Sequence, residues 1–297
     1  WWVCAAITPE AVPTFVQWPD GSGLLAHRYP GKWRIWSDPL STEDNMASRI
    51  GEFALEIFQD NKIGELWCDD VADSIYPALE KEKSRRSRDG FSRFLFKGGV
   101  YPAPKSKQSL KFGDIYYSLL WPVLDMVKYD PSLPGGHFKD IRNARNKFYR
   151  ECQVKIMDAK DVAKEDLYRI VVDWYKQVIK KQNQEDIFDS KYRMAIKNNF
   201  RGFVTSRVMV ADGRPVGFNA GYEVPNRPGR FAGIIGLHDY SIKDLGTILW
   251  LEDLDWIKNA GYKELDMQGS EPEDLRTKIQ FGAIIERKTD TFSITRN

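Results

Sequence analysis

Hydrophobic residues in the N-terminal third of the chain recur first with a period of two and then with a period of three to four. Residues 23–29 and 32–37 alternate apolar and polar side chains on either side of Pro30-Gly31, which predicts a β-hairpin. The next apolar positions are Ile50, Phe53, Ala54, Ile57 and Phe58. Their spacing predicts a helix, which the hydroxyl of Ser41 or Thr42 could cap.

Three further elements are predicted before residue 130. Residues 65–69 and 111–124 each indicate a strand, and the SIYPALEKEK segment indicates a short helix. That helix runs into a basic stretch from Lys81 to Arg88. Such a run of charges is typical of a solvated loop, and contact with RNA is the alternative.

A composition shift divides the chain near residue 130. The segment YDPSLPGG contains two prolines and two glycines in eight residues, which is typical of a linker. It predicts one domain over residues 1–130 and a second over residues 131–297. Helices are expected at the start of the second domain, over the following ranges: a basic amphipathic helix within 137–152, a second over 165–182 and a third within 190–200.

The hydrophobic period changes again after Gly202. Two strands are predicted around Asp212-Gly213, followed by a strand within 229–240 and a helix over 247–260 that Gly261 ends. The last elements are a strand over 262–267, a short helix from about residue 273 and a strand over 284–292. The C-terminal half is therefore predicted to be helix, helix, β-hairpin, β, α, β, α, β.

Composition and charge exclude several classes of protein. The chain has 297 residues, 42% of them hydrophobic, which is enough to form a sizeable core. Because 44 Lys and Arg balance 42 Asp and Glu, any contact with nucleic acid must come from local patches. Three separated cysteines and three histidines without an HExxH pattern predict neither disulfides nor a metal site, and no apolar run predicts a membrane span. A reducing cytoplasm is the expected location.

The order of the C-terminal elements resembles the GCN5-related N-acetyltransferase (GNAT) fold, in which central strands splay apart around the acyl group. The segment WIKNAGYKELDMQGSEPEDLRTKIQFGA is similar to the helix, strand and Phe-Lys-x-x-Phe-Gly segment of the Fem family of aminoacyl transferases and of the phosphatidylglycerol lysyltransferase C-terminal domain. The segment GGHFKDIRNARNKFYREC is similar to a basic helix of the latter family.

Those families carry two GNAT-like halves. The segment WSDPLSTEDNMASRIGEFALEIFQDNKIGELWCDDV resembles the strand end, helix and strand of their first half. The resemblance implies an α/β fold of two tandem GNAT-like domains, each a mixed, mostly antiparallel sheet flanked by helices. It also implies a catalytic cleft in the C-terminal domain.

The resemblance extends to the acyl donor. Coenzyme-A-dependent GNAT enzymes begin the helix after their fourth strand with a (Arg/Gln)-x-x-Gly-x-(Gly/Ala) motif, whose backbone N–H groups hold a pyrophosphate. The matching segment here is KDLGTI, in which Lys243 replaces Arg or Gln and Ile248 replaces the last small residue. This departure favours an aminoacyl-tRNA, the donor that the resemblance implies, over acetyl-CoA.

The same resemblance implies roles for individual residues. Lys278 matches the family's motif lysine and would stabilise the oxyanion or bind the end of the tRNA. Asp266 and Glu271 are candidates for the base or for recognition of the substrate amine. The candidate substrate-binding residues are Gln268, Ser270, Tyr240 and Arg276. The candidate tRNA- or phosphate-binding residues are Lys139, Arg142, Asn143, Arg145 and Lys243.

Structural roles remain open for several of these residues. Lys278 and the Lys139 to Arg150 helix could simply be solvated, Ser270 could cap the helix that follows it, and His238 could be a core histidine rather than a base. Neither a metal nor a resident cofactor is expected. The acceptor could be a lipid, a peptide or a small molecule. The alternative functions are an acyl-CoA N-acyltransferase and a non-catalytic GNAT-like binding module.

Overall fold

The computed structural model describes residues 11–82, 94–96, 99–101, 110–182, 189–224 and 227–296. The chain divides into two compact units. The first consists of Trp1–Trp121, Gly269–Pro272 and Glu286–Asn297, and the second of Pro122–Gln268 and Glu273–Ile285. The basic stretch at residues 81–88 lies outside the side chains that the structure describes.

Strands and helices alternate along much of the chain. The strands are β1 (Val12–Gln17), β2 (Gly23–Tyr29), β3 (Lys32–Ile35), β4 (Glu65–Ala72), β5 (Phe94–Phe96), β6 (Gly99–Tyr101), β7 (Leu110–Phe112), β8 (Tyr117–Asp125), β9 (Val154–Asp158), β10 (Thr205–Ala211), β11 (Arg214–Glu223), β12 (Arg230–His238), β13 (Glu264–Asp266) and β14 (Ile284–Arg296). The helices are α1 (Glu43–Ile57), α2 (Ile75–Glu82), α3 (Lys139–Glu151), α4 (Lys164–Gln182), α5 (Ser190–Lys197), α6 (Leu245–Asn259) and α7 (Pro272–Gln280).

The first unit is built on a mixed sheet in the order β1-β2-β3-β4-β14, and β14 also pairs with β7. Only β3 and β4 run parallel among these strands; the other pairs are antiparallel. The apolar face of α1 packs on the sheet through Ile50, Phe53, Ala54 and Ile57, all of them buried. The helical spacing of these residues thus supplies one side of the first core.

The second unit has its own mixed sheet in the order β8-β13-β12-β11-β10-β9. The parallel pair is β12 with β13, and every other neighbour is antiparallel. Helix α6 packs its apolar residues against this sheet in two clusters, one with Phe231 and Leu265 and one with Met209 and Val216. The connection from β12 through α6 to β13 is the helical crossover that parallel strands require.

Most elements predicted from periodicity are present. The hairpin pairs Ala26 with Ile35, and α1 begins after Thr42, although the Thr42 side chain makes no capping hydrogen bond. Three differences concern strands. The strand predicted over 111–124 is two strands that the segment around Gly113 separates, and neither β1 nor β9 was predicted.

The last strand of the chain belongs to the first unit. Residues of β14 pair with β4 and β7, so the segment from Glu286 onward lies with the N-terminal part of the chain. Residues Gly269–Pro272 also lie in that unit. A single division of the sequence at residue 130 does not contain this return of the chain, and the two-domain boundary stays a prediction.

Candidate active site in the second unit

The parallel strands β12 and β13 separate after three residues. Arg230, Phe231 and Ala232 of β12 pair with Glu264, Leu265 and Asp266 of β13. Beyond these pairs β12 continues along β11 as far as His238, whereas the N–H of Met267 donates to the carbonyl of Pro122 at 3.1 Å, beside β8. The carboxyl ends of parallel strands are where open α/β sheets bind ligands. The gap between these two strand ends is therefore the candidate cleft.

The end of β13 is held by a local turn. A carboxylate oxygen of Asp266 accepts hydrogen bonds from the backbone N–H of Gln268 at 2.9 Å and from its side-chain amide at 3.3 Å. Gln268 has a φ of 62°, a left-handed conformation that is uncommon outside glycine. An Asp side chain bonding two residues ahead is the usual way to fix such a turn. Asp266 therefore positions the strand end.

Lys278 reaches this strand end from α7. Its half-buried ammonium donates to the carbonyl oxygen of Met267 at 2.5 Å and lies 3.5 Å from the carbonyl oxygen of Gln268. The cation is thus placed beside the carbonyls that follow β13. The sequence brings Asp266, Gln268 and Lys278 together as predicted neighbours, and their catalytic roles stay predictions.

The other candidates on this segment have different surroundings. Ser270 lies in the first unit, is buried, and pairs through its backbone with Leu120 at 2.8 and 3.0 Å. Glu271 and Arg276 are exposed. The backbone pairing gives Ser270 a structural role, whereas the two charged residues are available to solvent.

The far end of β12 carries an aromatic pair on the first turn of α6. The rings of His238 and Tyr240 stack with their centroids 4.3 Å apart. A Cβ added to Gly246 would lie only 2.6 Å from the Cε1 atom of His238, so the imidazole covers this turn closely. Tyr240 remains 36% exposed and could contact a ligand.

Asp239 fixes the loop between this pair and α6. It accepts hydrogen bonds from the N–H and hydroxyl of Ser241 at 2.9 and 2.6 Å and pairs with Arg214 at 3.0 Å. Burial acts to raise the pKa of Asp239, but the hydrogen bonds from Ser241 outweigh burial and the net pKa is lowered. Asp239 is therefore a charged anchor of the loop.

The start of α6 differs from its sequence interpretation in one respect. Ile248 was expected to obstruct a phosphate at this helix, but its side chain is 1% exposed and packs in the core with Leu245 and Leu249. The reason is the helical period, which turns Ile248 toward the sheet. Lys243 is exposed, and Asp244 precedes the helix with a φ of 61° and no side-chain cap. His238, rather than Ile248, restricts access to the first turn.

The basic helix α3 separates its predicted phosphate-binding residues into two groups. Lys139 and Asn143 are exposed. Arg142 donates to the carbonyl oxygens of Leu133 and, at 2.7 Å, Gly135. Arg145 donates to the carbonyl oxygen of Pro131 at 3.1 Å and lies 3.6 Å from Asp255. The two arginines therefore hold the loop before α3.

Sequence reasoning missed a network of acids on α6. Glu252 accepts from the Tyr149 hydroxyl at 2.5 Å, and Asp255 accepts from the Tyr129 hydroxyl at 2.9 Å. Arg207 of β10 lies 3.7 Å from Asp253, a buried carboxyl whose pKa burial raises to about 6. Three acids within four residues of an otherwise apolar helix were the signal that could have drawn attention to this network. It joins α6 to α3 and β10.

One pocket of about 520 Å³ lies in the second unit, but near the start of β13. Its lining includes Lys263, Glu264 and Phe281, and it does not include Asp266, Gln268 or Lys278. Within the described ranges, no group of three or more His, Cys, Asp or Glu residues is placed to hold a metal ion. No helix in those ranges is both long and apolar enough to cross a membrane.

Comparison with known proteins identifies the class of fold. Residues 123–229 match the model of the phosphatidylglycerol lysyltransferase C-terminal family. This match contains the GGHFKDIRNARNKFYREC segment and ends before the segment that carries Lys278. No curated protein matches the sequence.

Solved structures resemble nearly the whole chain. The structure of L-PGS from Bacillus licheniformis has a TM-score of 0.60 and 13% identity and covers 96% of this chain and 84% of its own. The C-terminal domain of a proposed lysylphosphatidylglycerol synthetase from Agrobacterium fabrum has a TM-score of 0.58 and 11% identity, with coverage of 97% and 84%. A tandem GNAT protein from the clavulanic acid biosynthesis pathway has a TM-score of 0.56 and 11% identity, with coverage of 96% and 83%.

These likenesses show the GNAT fold, and they confirm the predicted α/β architecture of mixed sheets flanked by helices. The resemblance to the lysyltransferase C-terminal domain is confirmed over residues 123–229. Together the family match and the fold support a transferase.

Proposed function

We propose that the protein transfers an aminoacyl group from an aminoacyl-tRNA to an amine or hydroxyl acceptor. The observation that carries this proposal is the lysyltransferase-family match over residues 123–229, on a sheet whose parallel strands open into a cleft. The position of Lys278 at the end of β13 supports the proposal independently, because this residue lies outside the matched range.

The reaction begins when the acceptor nitrogen or oxygen attacks the ester carbonyl carbon of the donor. A tetrahedral oxyanion forms and collapses, the bond to the terminal ribose oxygen breaks, and the proton lost by the acceptor passes to that oxygen. Lys278 would stabilise the negative charge, which is the largest electrostatic demand of such a step. Asp266 and Glu271 are the proposed routes for the proton or for binding of the substrate amine, with Gln268 and Tyr240 beside the substrate.

Two features support an aminoacyl-tRNA over coenzyme A as the donor. The KDLGTI segment retains one glycine of the pyrophosphate motif, and His238 lies over that glycine. A diphosphate held by backbone N–H groups needs open access to the first turn of the helix. The exposed cations Lys139 and Lys243 are proposed to contact the tRNA backbone.

The acceptor is proposed to be a lipid, by analogy with the matched family. A peptide or small-molecule amine fits the same chemistry, and the acceptor arms of the experiment separate them. Because charged tRNA is a cytoplasmic metabolite, the reaction is proposed to take place in the cytoplasm or at the cytoplasmic face of a membrane. No resident cofactor is required by this chemistry.

The test is a donor and acceptor screen on the full chain. The protein is incubated with a charged tRNA pool, a deacylated pool and acetyl-CoA, each with phosphatidylglycerol vesicles or a mixture of peptides and amines. Mass spectrometry follows which donor loses its acyl group and which acceptor gains mass. Consumption of an aminoacyl-tRNA without consumption of acetyl-CoA is the expected result. Consumption of acetyl-CoA alone would make the protein an acyl-CoA transferase, and binding without turnover of any donor would make it a binding module.

A further inference from the structure

The first unit has its own parallel strand pair with an irregular end. Strands β3 and β4 pair from Lys32 with Glu65 to Ile35 with Cys68. Just beyond, Asp70 adopts a φ of 53°, and the register between β4 and β14 shifts at Phe292. Bulges of this kind redirect a side chain away from the regular sheet. Asp70 is therefore turned out of the strand at a place where parallel sheets present ligand-binding groups.

Two polar atoms at this end of the sheet have no hydrogen-bond partner among the described residues. They are one carboxylate oxygen of Asp70 and the indole nitrogen of Trp36, and both are shielded from solvent. One is an acceptor and the other is a donor. Buried polar groups nearly always have partners, so a pair of orphans at one end of a sheet indicates a missing partner.

The charges around Asp70 leave one negative charge uncompensated. Arg34 holds the buried Asp69 through two hydrogen bonds of 2.5 and 2.9 Å. Arg287 lies 3.7 Å from Asp38. Asp70 is the third carboxylate beside these two ion pairs. A monovalent cation would neutralise it.

The surroundings suit an organic cation. The guanidinium of Arg34 lies 4.5 Å from the ring centre of Trp36. Tyr117, whose hydroxyl bonds to Thr291, borders the acids and is 36% exposed, so solvent reaches this side of the cluster. Aromatic faces beside a carboxylate favour an ammonium group. Because no metal-holding group of side chains is present in the described ranges, the geometry does not suit a metal ion.

We propose that Asp70 and Trp36 form a binding site in the first unit for a small primary-ammonium ligand that also carries an acceptor oxygen. The ammonium donates to the orphan carboxylate oxygen of Asp70, and the ligand oxygen accepts from the indole N–H of Trp36. This site involves no residue of the proposed catalytic cleft, and it stands or falls independently of the transferase proposal.

Titration of Asp70 gives the site a pH dependence. Burial, followed by the neighbouring Asp69, raises the pKa of Asp70 to about 6, against the lowering effects of Arg287 and Arg34. The other charged or titratable groups around it are Asp38, Tyr117 and the Lys288–Asp290 pair of β14. An ammonium ligand requires the ionised carboxylate. Its apparent Kd should therefore be about tenfold weaker at pH 5 than at pH 7.5, because only about a tenth of the sites are competent at the lower pH.

The experiment is an NMR titration of the tryptophan indole N–H signals with ethanolamine, which carries an ammonium and a hydroxyl oxygen. Trp36→Phe assigns the Trp36 signal. Ethylene glycol is the neutral isostere, and sodium chloride at equal ionic strength controls for screening. We expect ethanolamine to shift the Trp36 signal saturably, with the tenfold weakening at pH 5, and neither control to do so.

Asp70→Asn is the decisive variant, because Asn tolerates a left-handed backbone and preserves the fold. It should weaken ethanolamine binding at least about tenfold and remove its pH dependence. Asp60→Asn is the matched control, since Asp60 is exposed and its turn contact to Lys62 needs only an acceptor oxygen. No shift of the Trp36 signal, an equal shift with ethylene glycol, or unchanged binding in Asp70→Asn would overturn the proposal.

Discussion

The ammonium of Lys278 donates to the carbonyl oxygen of Met267 at 2.5 Å, tying the cation of α7 to the residue that follows β13. The lysine is therefore positioned by the strand end that it would serve. Its contact also means that replacement of Lys278 changes both a charge and a structural bond. Kinetic and stability measurements have to be made together.

Replacing Lys278 by Met should remove the charge while retaining most of the side-chain volume. If Lys278 stabilises the oxyanion, kcat should fall by about 10²- to 10³-fold, as it does when one oxyanion donor is lost. Lys278→Arg should retain part of the activity because it keeps the charge. The measurement is single-turnover transfer from charged tRNA.

The stability of the same variants separates chemistry from structure. Loss of one hydrogen bond from a charged donor should lower the free energy of unfolding by about 1.5–3 kcal/mol, measured by denaturant titration. Lys128→Met is the control, because the Lys128 side chain is 85% exposed. A Lys278→Met protein that is folded and transfers at the wild-type rate would remove Lys278 from the mechanism.

Two glycines of the second sheet should respond to alanine in opposite directions. A Cβ at Gly221 would lie 2.3 Å from the Phe231 ring and 2.4 Å from the Ala232 carbonyl oxygen, so Gly221→Ala should destabilise the protein by about 1–3 kcal/mol through overpacking. A Cβ at Gly233 would make an ordinary contact of 3.8 Å with Leu265. Gly233→Ala should therefore be neutral or stabilise by about 0.5 kcal/mol, because alanine loses less backbone entropy in a strand.

Thermal unfolding of the two variants side by side provides the measurement. An equal loss of stability in both would show that β12 tolerates no side chain at either position. An unchanged Tm for Gly221→Ala would contradict the close approach of Phe231 to the bulge between β11 and β12.

The fold was predictable where a sequence pattern acts alone. The apolar spacing of α1 and the hairpin at Pro30-Gly31 are local signals, and both elements are present. Strand β9 was missed because it is short and its burial comes from pairing with β10. Within the site, the contact of Lys278 with Met267 followed from a motif, whereas the covering of Gly246 by His238 depends on where β12 ends. Long-range packing of this kind leaves no periodic trace in the sequence.

Asp253 should give the protein a measurable loss of stability as pH rises. Burial raises its folded-state pKa from 3.8 to about 6, against the opposing effect of Arg207. The folded protein therefore holds this proton more tightly than the unfolded chain. Its contribution is fully present below about pH 4 and is lost as pH rises toward about 6, up to a limit of about 3 kcal/mol.

The measurement is the free energy of unfolding between pH 4 and pH 7, for the wild type and for Asp253→Asn. The variant cannot titrate at this position, so its stability should fall less over this interval. Asp60→Asn, at an exposed position, should follow the wild-type profile. Identical slopes in the wild type and Asp253→Asn would show that Asp253 keeps an ordinary pKa.

The two kinds of basic residue on α3 should separate in their response to salt. Lys139 is exposed, so Lys139→Met should leave stability unchanged but weaken tRNA binding and reduce the slope of log Kd against log salt concentration by about 1. Lys176→Met, at another exposed helical position, should change neither quantity. Arg142→Met should instead lower stability, because Arg142 holds the carbonyls of Leu133 and Gly135. A salt slope that changes with Arg142→Met and not with Lys139→Met would reverse these assignments and make Arg142 the phosphate contact.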